Sequence, residues 1–157
     1  VYPSNQEMDQ NLMRNATSED WAEFLTDMQS AASVEAEGIG QILAMAGNPN
    51  DPVATALGRT NVIYQLSVGD PATYASAWSD FSGANLQEGT VSYLSSVLAY
   101  GANPATHVVN NVYQSPGEAL SNQPQLMEGF DVFLQRVSGI RTVEGRMITT
   151  VIAEWRP

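Results

Sequence analysis

The stretch that decides the fold is the last third of the chain, from Gln123 to Pro157, which reads QPQLMEGFDVFLQRVSGIRTVEGRMITTVIAEWRP. Its apolar residues recur three or four positions apart, which is the spacing of one helical face. They are Leu126, Phe130, Phe133, Val137, Ile140, Met147 and Val151. A helix over residues 124–155 would be roughly 48 Å long, whereas a compact domain of this length is roughly 39 Å across. The spacing therefore predicts a helix that either breaks or packs on another molecule.

The same stretch also has the composition of a β-strand. Most residues between Ile140 and Ile152 are β-branched, and such residues favour strands because they lose rotamer freedom in helices. Glu144-Gly145 would then form a two-residue turn. Residues 61–68 alternate in the period of two that is typical of a strand. The alternative fold is therefore α+β, with a small antiparallel sheet built from residues 61–68 and 140–155.

The rest of the chain favours helices. Thr17 is a candidate N-cap for a long helix that runs to Ala46, where Gly47 would end it. Residues 90–100 carry apolar side chains at helical spacing. Four further pairs place a capping residue before proline, which predicts helix starts near residues 52, 71, 104 and 116. These pairs are Asp51-Pro52, Asp70-Pro71, Asn103-Pro104 and Ser115-Pro116.

The predicted fold is mainly α, a helical bundle with long N- and C-terminal helices. Residues 17–157 would form a single helical domain. Residues 1–16 are polar and lack periodicity, so we interpret them as an N-terminal arm that docks on a partner.

The charge balance limits the classes of partner. The chain has 17 acidic residues, six arginines and no lysine, for a net charge of −11. Nucleic acids and anionic membrane surfaces both attract basic proteins, so neither is an expected partner. No apolar run approaches the 18 residues that a membrane span requires.

The chain is also poor in charge of either sign. Charged residues make up 15% of it, against about 25% in ordinary domains. Serine, threonine, asparagine and glutamine together make up over a quarter. Neutral polar side chains cost less to desolvate than charged ones, so this surface suits burial against neighbouring subunits. The composition favours a subunit of an assembly.

No catalytic, cofactor or metal site is predicted. Cysteine is absent, and no phosphate-binding loop or nucleophile elbow occurs. His107 is the single histidine and has no orienting carboxylate or nucleophile nearby in sequence. Asn48-Pro49-Asn50-Asp51 carries oxygen ligands but lacks the later residues of a calcium loop, and it is sufficiently explained as a turn. The chain is therefore predicted not to be an enzyme.

Two features suggest contacts with partners. Glu19, Glu23 and Asp27 form a stripe on the first predicted helix, which is either solvated or a surface for a basic partner or a divalent cation. A terminal tryptophan beside an arginine is typical of a binding hot spot. The predicted interface residues are Tyr2, Phe130, Phe133, Glu144, Met147, Val151, Trp155 and Arg156.

Together these observations predict a non-enzymatic structural subunit, in a virion or phage particle or in an extracellular filament. Its partners would be further copies of itself or other structural proteins. The expected location is accordingly a virion or the cell exterior. The alternative is a secreted or periplasmic helical binding module for a protein or small ligand, which would have one apolar groove. A third hypothesis, an enzyme that uses carboxylates and a divalent metal, would require a concave cluster of acids.

Overall fold

The computed structural model describes residues 4–31, 39–52, 56–99 and 104–153, and it divides the chain into two compact units, residues 1–37 and 38–157. The first unit contains helices α1 (Asn5–Ala16) and α2 (Glu19–Ala31). The Ser4 hydroxyl caps α1 by accepting the Glu7 N–H at 3.2 Å. The Ser18 hydroxyl accepts the Trp21 N–H at 3.2 Å, so the cap of α2 lies one residue beyond the predicted cap, Thr17.

The second unit is an α+β domain. Its strands are β1 (Ile39–Ala46), β2 (Thr60–Val68), β3 (Val91–Ala99), β4 (His107–Tyr113) and β5 (Arg141–Thr150). Its helices are α3 (Pro71–Asn85), α4 (Pro116–Ser121) and α5 (Phe130–Arg136), and a 3₁₀ turn spans Pro124–Leu126.

Within the described ranges, the five strands form one sheet in the order β1-β3-β4-β2-β5, and all neighbours are antiparallel. Helix α3 connects β2 to β3, and β4 lies between these two strands. Helices α4 and α5 connect β4 to β5, and β2 lies between those two. This is the split β-α-β topology of a ferredoxin-like fold, to which β1 adds an edge strand beside β3.

The core lies between one face of the sheet and the helices. Alternate residues of each strand point to this face, which we call the helix-side face. Leu66, Leu94 and Val109 project from it and meet side chains of α3 and α5. The other core residues are Val68, Tyr74, Ala77, Trp78, Phe133 and Val137. Sheet and helices therefore cover each other's apolar surface.

Two predicted helix starts are confirmed because their signal is local. Asp70 caps α3 by accepting the Thr73 N–H at 3.1 Å, with Pro71 in the first turn. Ser115 caps α4 in the same way, accepting the Glu118 N–H at 3.2 Å. The predicted helix after Pro52 falls on residues 53–55, which lie outside the described residues.

The predicted helical bundle is wrong. The C-terminal helix ends at Arg136, and residues 141–150 form a strand. The N-terminal helix also fails, because α2 ends at Ala31 and residues 39–46 are a strand. Residues 91–99, and residues 107–113 after Pro104, are strands rather than helices. The segment predicted to be an arm, residues 1–16, contains α1.

The alternative α+β fold matches in part. Strands do cover residues 60–68 and 141–150, and they pair with each other. They belong to a five-stranded sheet rather than to a small one, however, and Glu144-Gly145 lies inside β5 instead of in a turn.

The physical reason for the error is irregular strand pairing. The register of β1 shifts between Ile39 and Gly40 and again between Ile42 and Ala44. The register of β5 shifts opposite Gln65 and Leu66. Each extra residue in a bulge lengthens the local side-chain period from two to three. The apolar residues of these strands therefore recur at intervals that resemble those of a helix.

Candidate functional site

A cavity of about 230 Å³ lies between the helix-side face of the sheet and the segments that cover it. Strands β2 to β5 supply its floor, and α3, α5 and residues 122–127 supply its walls. The lining residues are Tyr64, Leu66, Tyr74, Trp78, Phe81, Ser82, Asn85, Leu86, Gln87, Thr90, Ser92, Val109, Asn111, Tyr113, Asn122, Pro124, Gln125, Met127, Phe130, Phe133, Arg141, Val143 and Arg146.

One wall of the cavity is aromatic. The rings of Phe81 and Phe133 stack with their centroids 5.0 Å apart, and Phe130 lies 5.9 Å from Phe81. The Tyr74 ring meets Phe133 edge to face at 6.2 Å. Tyr74, Trp78 and Phe81 are four and three residues apart, so they share one face of α3. The wall is suited to a flat or aliphatic apolar group.

A chain of hydrogen bonds runs along the cavity from β3 and β4 to Asn122. The Ser92 hydroxyl donates to the side-chain oxygen of Asn111, and the Asn111 side chain also hydrogen-bonds the hydroxyl of Tyr113. The Tyr113 hydroxyl in turn donates to the Asn122 carbonyl at 3.1 Å, and the Gln87 amide donates to the Asn122 side chain at 2.6 Å. Burial raises the pKa of Tyr113 to about 12, so this hydroxyl stays protonated at neutral pH.

Thr90 adds a polar group without a partner. It is only 8% exposed and lines the cavity just before β3. Among the described residues, nothing hydrogen-bonds its buried hydroxyl. An unpartnered buried hydroxyl is costly unless a ligand or a water molecule satisfies it.

Two arginines of β5 also line the cavity. Arg141 is half-buried, with its guanidinium carbon 5.5 Å from the centroid of the Phe133 ring, and it hydrogen-bonds the Tyr74 hydroxyl. Arg146 is exposed, and its guanidinium carbon lies 5.4 Å from the centroid of the Tyr64 ring. Burial raises the pKa of Tyr64, and the positive charges of Arg146 and then Arg141 oppose that rise.

The bulge in β5 brings these arginines to one face. Arg141 pairs with Val68 and Arg146 with Tyr64, both of which point to the helix side. Residues five apart in a regular strand point to opposite faces. The register shift opposite Gln65 and Leu66 supplies the extra residue that keeps both arginines on the cavity side.

The cavity is lined by apolar and neutral polar side chains and by two arginines. In the described part of the chain, no three histidine, aspartate or glutamate side chains come close enough to hold a metal ion. None of the described helices is long and apolar enough to cross a membrane. What the cavity offers is apolar contact, several hydrogen-bonding groups and two cations.

The polar residues considered from the sequence lie elsewhere. His107 is buried on β4, with Nδ1 2.9 Å from the Thr106 hydroxyl, and burial lowers its pKa. Glu19, Glu23 and Asp27 are all exposed on α2. Asn48 forms a turn by accepting the Asn50 N–H at 3.0 Å, as predicted for that loop.

The predicted interface residues scatter over the domain. Phe130 and Phe133 lie in the cavity wall, and Phe133 is buried in the core. Glu144 and Met147 are exposed on β5. Val151 follows β5, and its N–H donates to the Arg59 carbonyl at 3.0 Å. Tyr2, Trp155 and Arg156 lie outside the described residues.

Sequence reasoning missed the polar side of the cavity. Tyr64, Tyr113 and Arg146 are far apart in sequence and meet only because β2 lies between β4 and β5. One signal was available. Two of the six arginines in a strongly acidic chain stand five residues apart in a strand-like segment.

No family model matches the chain, and no curated protein matches it. Among solved structures, the chain is similar to the crystal structure of a protein named "Putative monooxygenase" from Fusobacterium nucleatum subsp. nucleatum, with 16% sequence identity and a TM-score of 0.49. The match covers 85% of this chain but 59% of that one, so the chain spans less than two thirds of that protein's length. A likeness at this level says nothing about activity.

Proposed function

We propose that this protein binds a small, largely apolar molecule in the cavity between its sheet and its helices. The observation that carries the proposal is the cavity itself, which combines an aromatic wall with a few convergent polar groups. Ligand sites in proteins have this character. The proposal agrees with the binding module that the sequence left as an alternative, although the domain is not helical.

The cavity volume limits the size of the ligand. A cavity of about 150 Å³ lined by apolar side chains is large enough to bind benzene. The volume of about 230 Å³ therefore suits one substituted ring or an aliphatic group of similar bulk. The hydroxyl of Thr90 and the side chain of Asn111 supply hydrogen bonds at its polar side.

A pair of serine variants tests the proposal. Ser82 lies on α3 and lines the cavity, whereas Ser79 is exposed on the same helix and does not. Ser82→Phe would place a ring in the cavity, and Ser79→Phe would place the same ring on the surface. Binding of 4-fluorotoluene, followed by ¹⁹F NMR, is expected for the wild type and for Ser79→Phe and is expected to be lost in Ser82→Phe. Equal binding by both variants, or none by the wild type, would refute the proposal.

A second function, the subunit role predicted from the composition, is supported by the opposite face of the sheet, which we call the outer face. Met45 and Met147 point to it and are each 45% exposed, and Ile42 is 39% exposed. Its residues on β1 to β4 carry no charge in a chain whose net charge is −11. Asn110 also lies on this face, and among the described residues its buried side-chain oxygen has no partner.

The occupant that fits this face is a second copy of the chain. The face is not open throughout, because Val91 and Val112 on it are already buried, at 0% and 4% exposure. A second copy would therefore contact the exposed part of the face, around Ile42, Met45 and Met147. An uncharged face also avoids the repulsion that two acidic chains would otherwise experience.

Size-exclusion chromatography with light scattering tests this second function. The wild type is expected to be a dimer at micromolar concentration, and Met147→Glu is expected to be a monomer. Val132→Glu is the control, because Val132 is an exposed apolar residue on α5 and away from this face. A wild type that is monomeric throughout, or a control that dissociates equally, would contradict it. The predicted virion or filament setting and the predicted lack of enzymatic activity stay predictions.

A further inference from the structure

We infer that the cavity selects molecules in which an apolar ring or chain carries a carboxylate, and that Arg146 and the Tyr64 hydroxyl bind that carboxylate. This inference rests on the proposed function, since it names the chemical class of the ligand. It depends on the charges around the cavity, on the partners of the two arginines and on the position of Tyr64.

The charges around the cavity are the reverse of those in the chain as a whole. Acidic residues outnumber arginines by 17 to six in the sequence, but the lining contains two arginines and no acidic residue. A cavity that bound a cation or a neutral molecule would not need more arginines than carboxylates in its lining. The lining instead creates a positive region within a protein whose overall field repels anions.

Neither arginine is neutralised by a carboxylate within the described ranges. A carboxylate does pair with Arg136, where Asp80 lies 2.7 Å away on the outside of α3 and α5. Arg141 is held by the Tyr74 hydroxyl and the Phe133 ring, so its position is fixed. Arg146 contacts the face of Tyr64 and is exposed, so its five N–H groups remain available.

The Tyr64 hydroxyl marks the place where the two positive fields overlap. The Arg146 guanidinium lies over the Tyr64 ring, with its carbon 5.4 Å from the ring centroid, and the charges of Arg146 and Arg141 both oppose the rise in the pKa of this hydroxyl. Among the described residues no hydrogen bond to this hydroxyl is formed. A carboxylate oxygen placed there would accept the Tyr64 O–H and face Arg146 at once.

Guanidinium and carboxylate groups match in shape as well as in charge. Arginine donates two parallel hydrogen bonds to a carboxylate, and such charge-assisted bonds are about twice as strong as neutral ones. The aromatic wall of Phe81, Phe130 and Phe133 then accommodates the apolar remainder. The ligand is therefore an amphipathic acid of about one ring in size.

Three probes that share one apolar group test the inference. They are 3-phenylpropionate, its neutral amide 3-phenylpropionamide, and the cation 3-phenylpropylamine, each measured by isothermal titration calorimetry. Because a hydrogen bond to a charged group is a strong contribution, the wild type is expected to bind the carboxylate about 10- to 100-fold more tightly than the amide. It is expected to bind the amine most weakly.

Arginine variants identify the residue responsible. Arg146→Gln is expected to lose the preference for the carboxylate while keeping the affinity for the amide. Arg146→Lys, which keeps the charge but not the paired hydrogen bonds, is expected to retain part of the preference. Arg14→Gln is the matched control, since it removes the same charge from exposed Arg14 on α1, which is not a lining residue. Thermal melts followed by circular dichroism verify that each variant folds.

The outcomes separate this inference from the proposed function. If the wild type binds amide and carboxylate equally well, the inference is wrong and the proposed function stands. If Arg14→Gln reduces the preference as much as Arg146→Gln, overall charge is responsible and the inference is again wrong. If no probe binds, both are wrong.

Discussion

Gly47 offers a direct measure of how tightly the end of β1 packs against the cavity segment. Its φ is +94°, and a Cβ built there would lie 2.6 Å from the Thr90 carbonyl oxygen and 3.0 Å from a Leu86 methyl carbon. The left-handed backbone costs a non-glycine residue about 1–2 kcal/mol. Relief of the contact with a backbone oxygen requires main-chain movement, and such overpacking costs about 1–3 kcal/mol. Gly47→Ala is therefore expected to lower the free energy of unfolding by about 2–5 kcal/mol, out of a total of about 5–15.

Variants at two other glycines allow the cost of the backbone conformation to be measured separately from the cost of the close contact. Gly58 has φ +85° with no atom within 4 Å of a built Cβ, so Gly58→Ala is expected to cost only the backbone contribution of about 1–2 kcal/mol. Gly83 lies in α3 with equally open surroundings, and Gly83→Ala is expected to stabilise the protein by about 0.5–1 kcal/mol. Urea unfolding followed by far-ultraviolet circular dichroism measures the change in the free energy of unfolding for each of the three variants. Equal losses for Gly47→Ala and Gly58→Ala would refute the close contact with Thr90.

Three further predictions concern the core and two titrating groups. Leu94 is 0% exposed, so Leu94→Ala is expected to cost about 3 kcal/mol in urea unfolding, whereas Leu98→Ala, at a residue that is 66% exposed near the end of β3, is expected to change little. The Thr73 N–H holds the pKa of Asp70 below its ordinary value of 3.8, so the stabilisation by this cap is present above that pH and is lost as the pH falls through the lowered pKa. The melting temperature of the wild type is therefore expected to exceed that of Asp70→Asn at pH 7, with the gap narrowing as the pH falls below 3.8; a constant gap would contradict this. The raised pKa of Tyr113 stabilises the fold fully below pH 10, and this contribution is lost as the pH rises from 10 to about 12. In an ultraviolet titration Tyr113 is expected to ionise near pH 12, and Tyr113→Phe is expected to lose one tyrosine's share of the absorbance change near that pH.

The features that sequence predicted well are those fixed by neighbouring residues. The caps at Asp70 and Ser115 are short-range hydrogen bonds, so residue types alone identified them. The strand at 60–68 was visible because β2 keeps an alternating burial pattern along most of its length. Such signals depend little on the rest of the fold.

The features that sequence missed depend on distant parts of the chain. β3 lies inside the sheet and has apolar residues on both faces, with Leu94 on the helix side and Val91 and Val97 on the outer face. The result is a spacing of three that resembles a helix. The cavity was not predictable, because its floor comes from strands whose order along the sheet differs from their order along the chain.

The bulge in β5 determines where a residue could be deleted from this strand without moving its side chains to the other face. Ten residues of β5 lie opposite nine of β2, so one residue near Glu144 exceeds what the pairing requires. A deletion of Glu144 would leave the two arginines four apart in a regular strand, still on the same face. A deletion elsewhere in β5, with the bulge retained, would exchange the two faces for every residue beyond it. Relatives that keep this cavity are therefore expected to have either four or three residues between their two arginines.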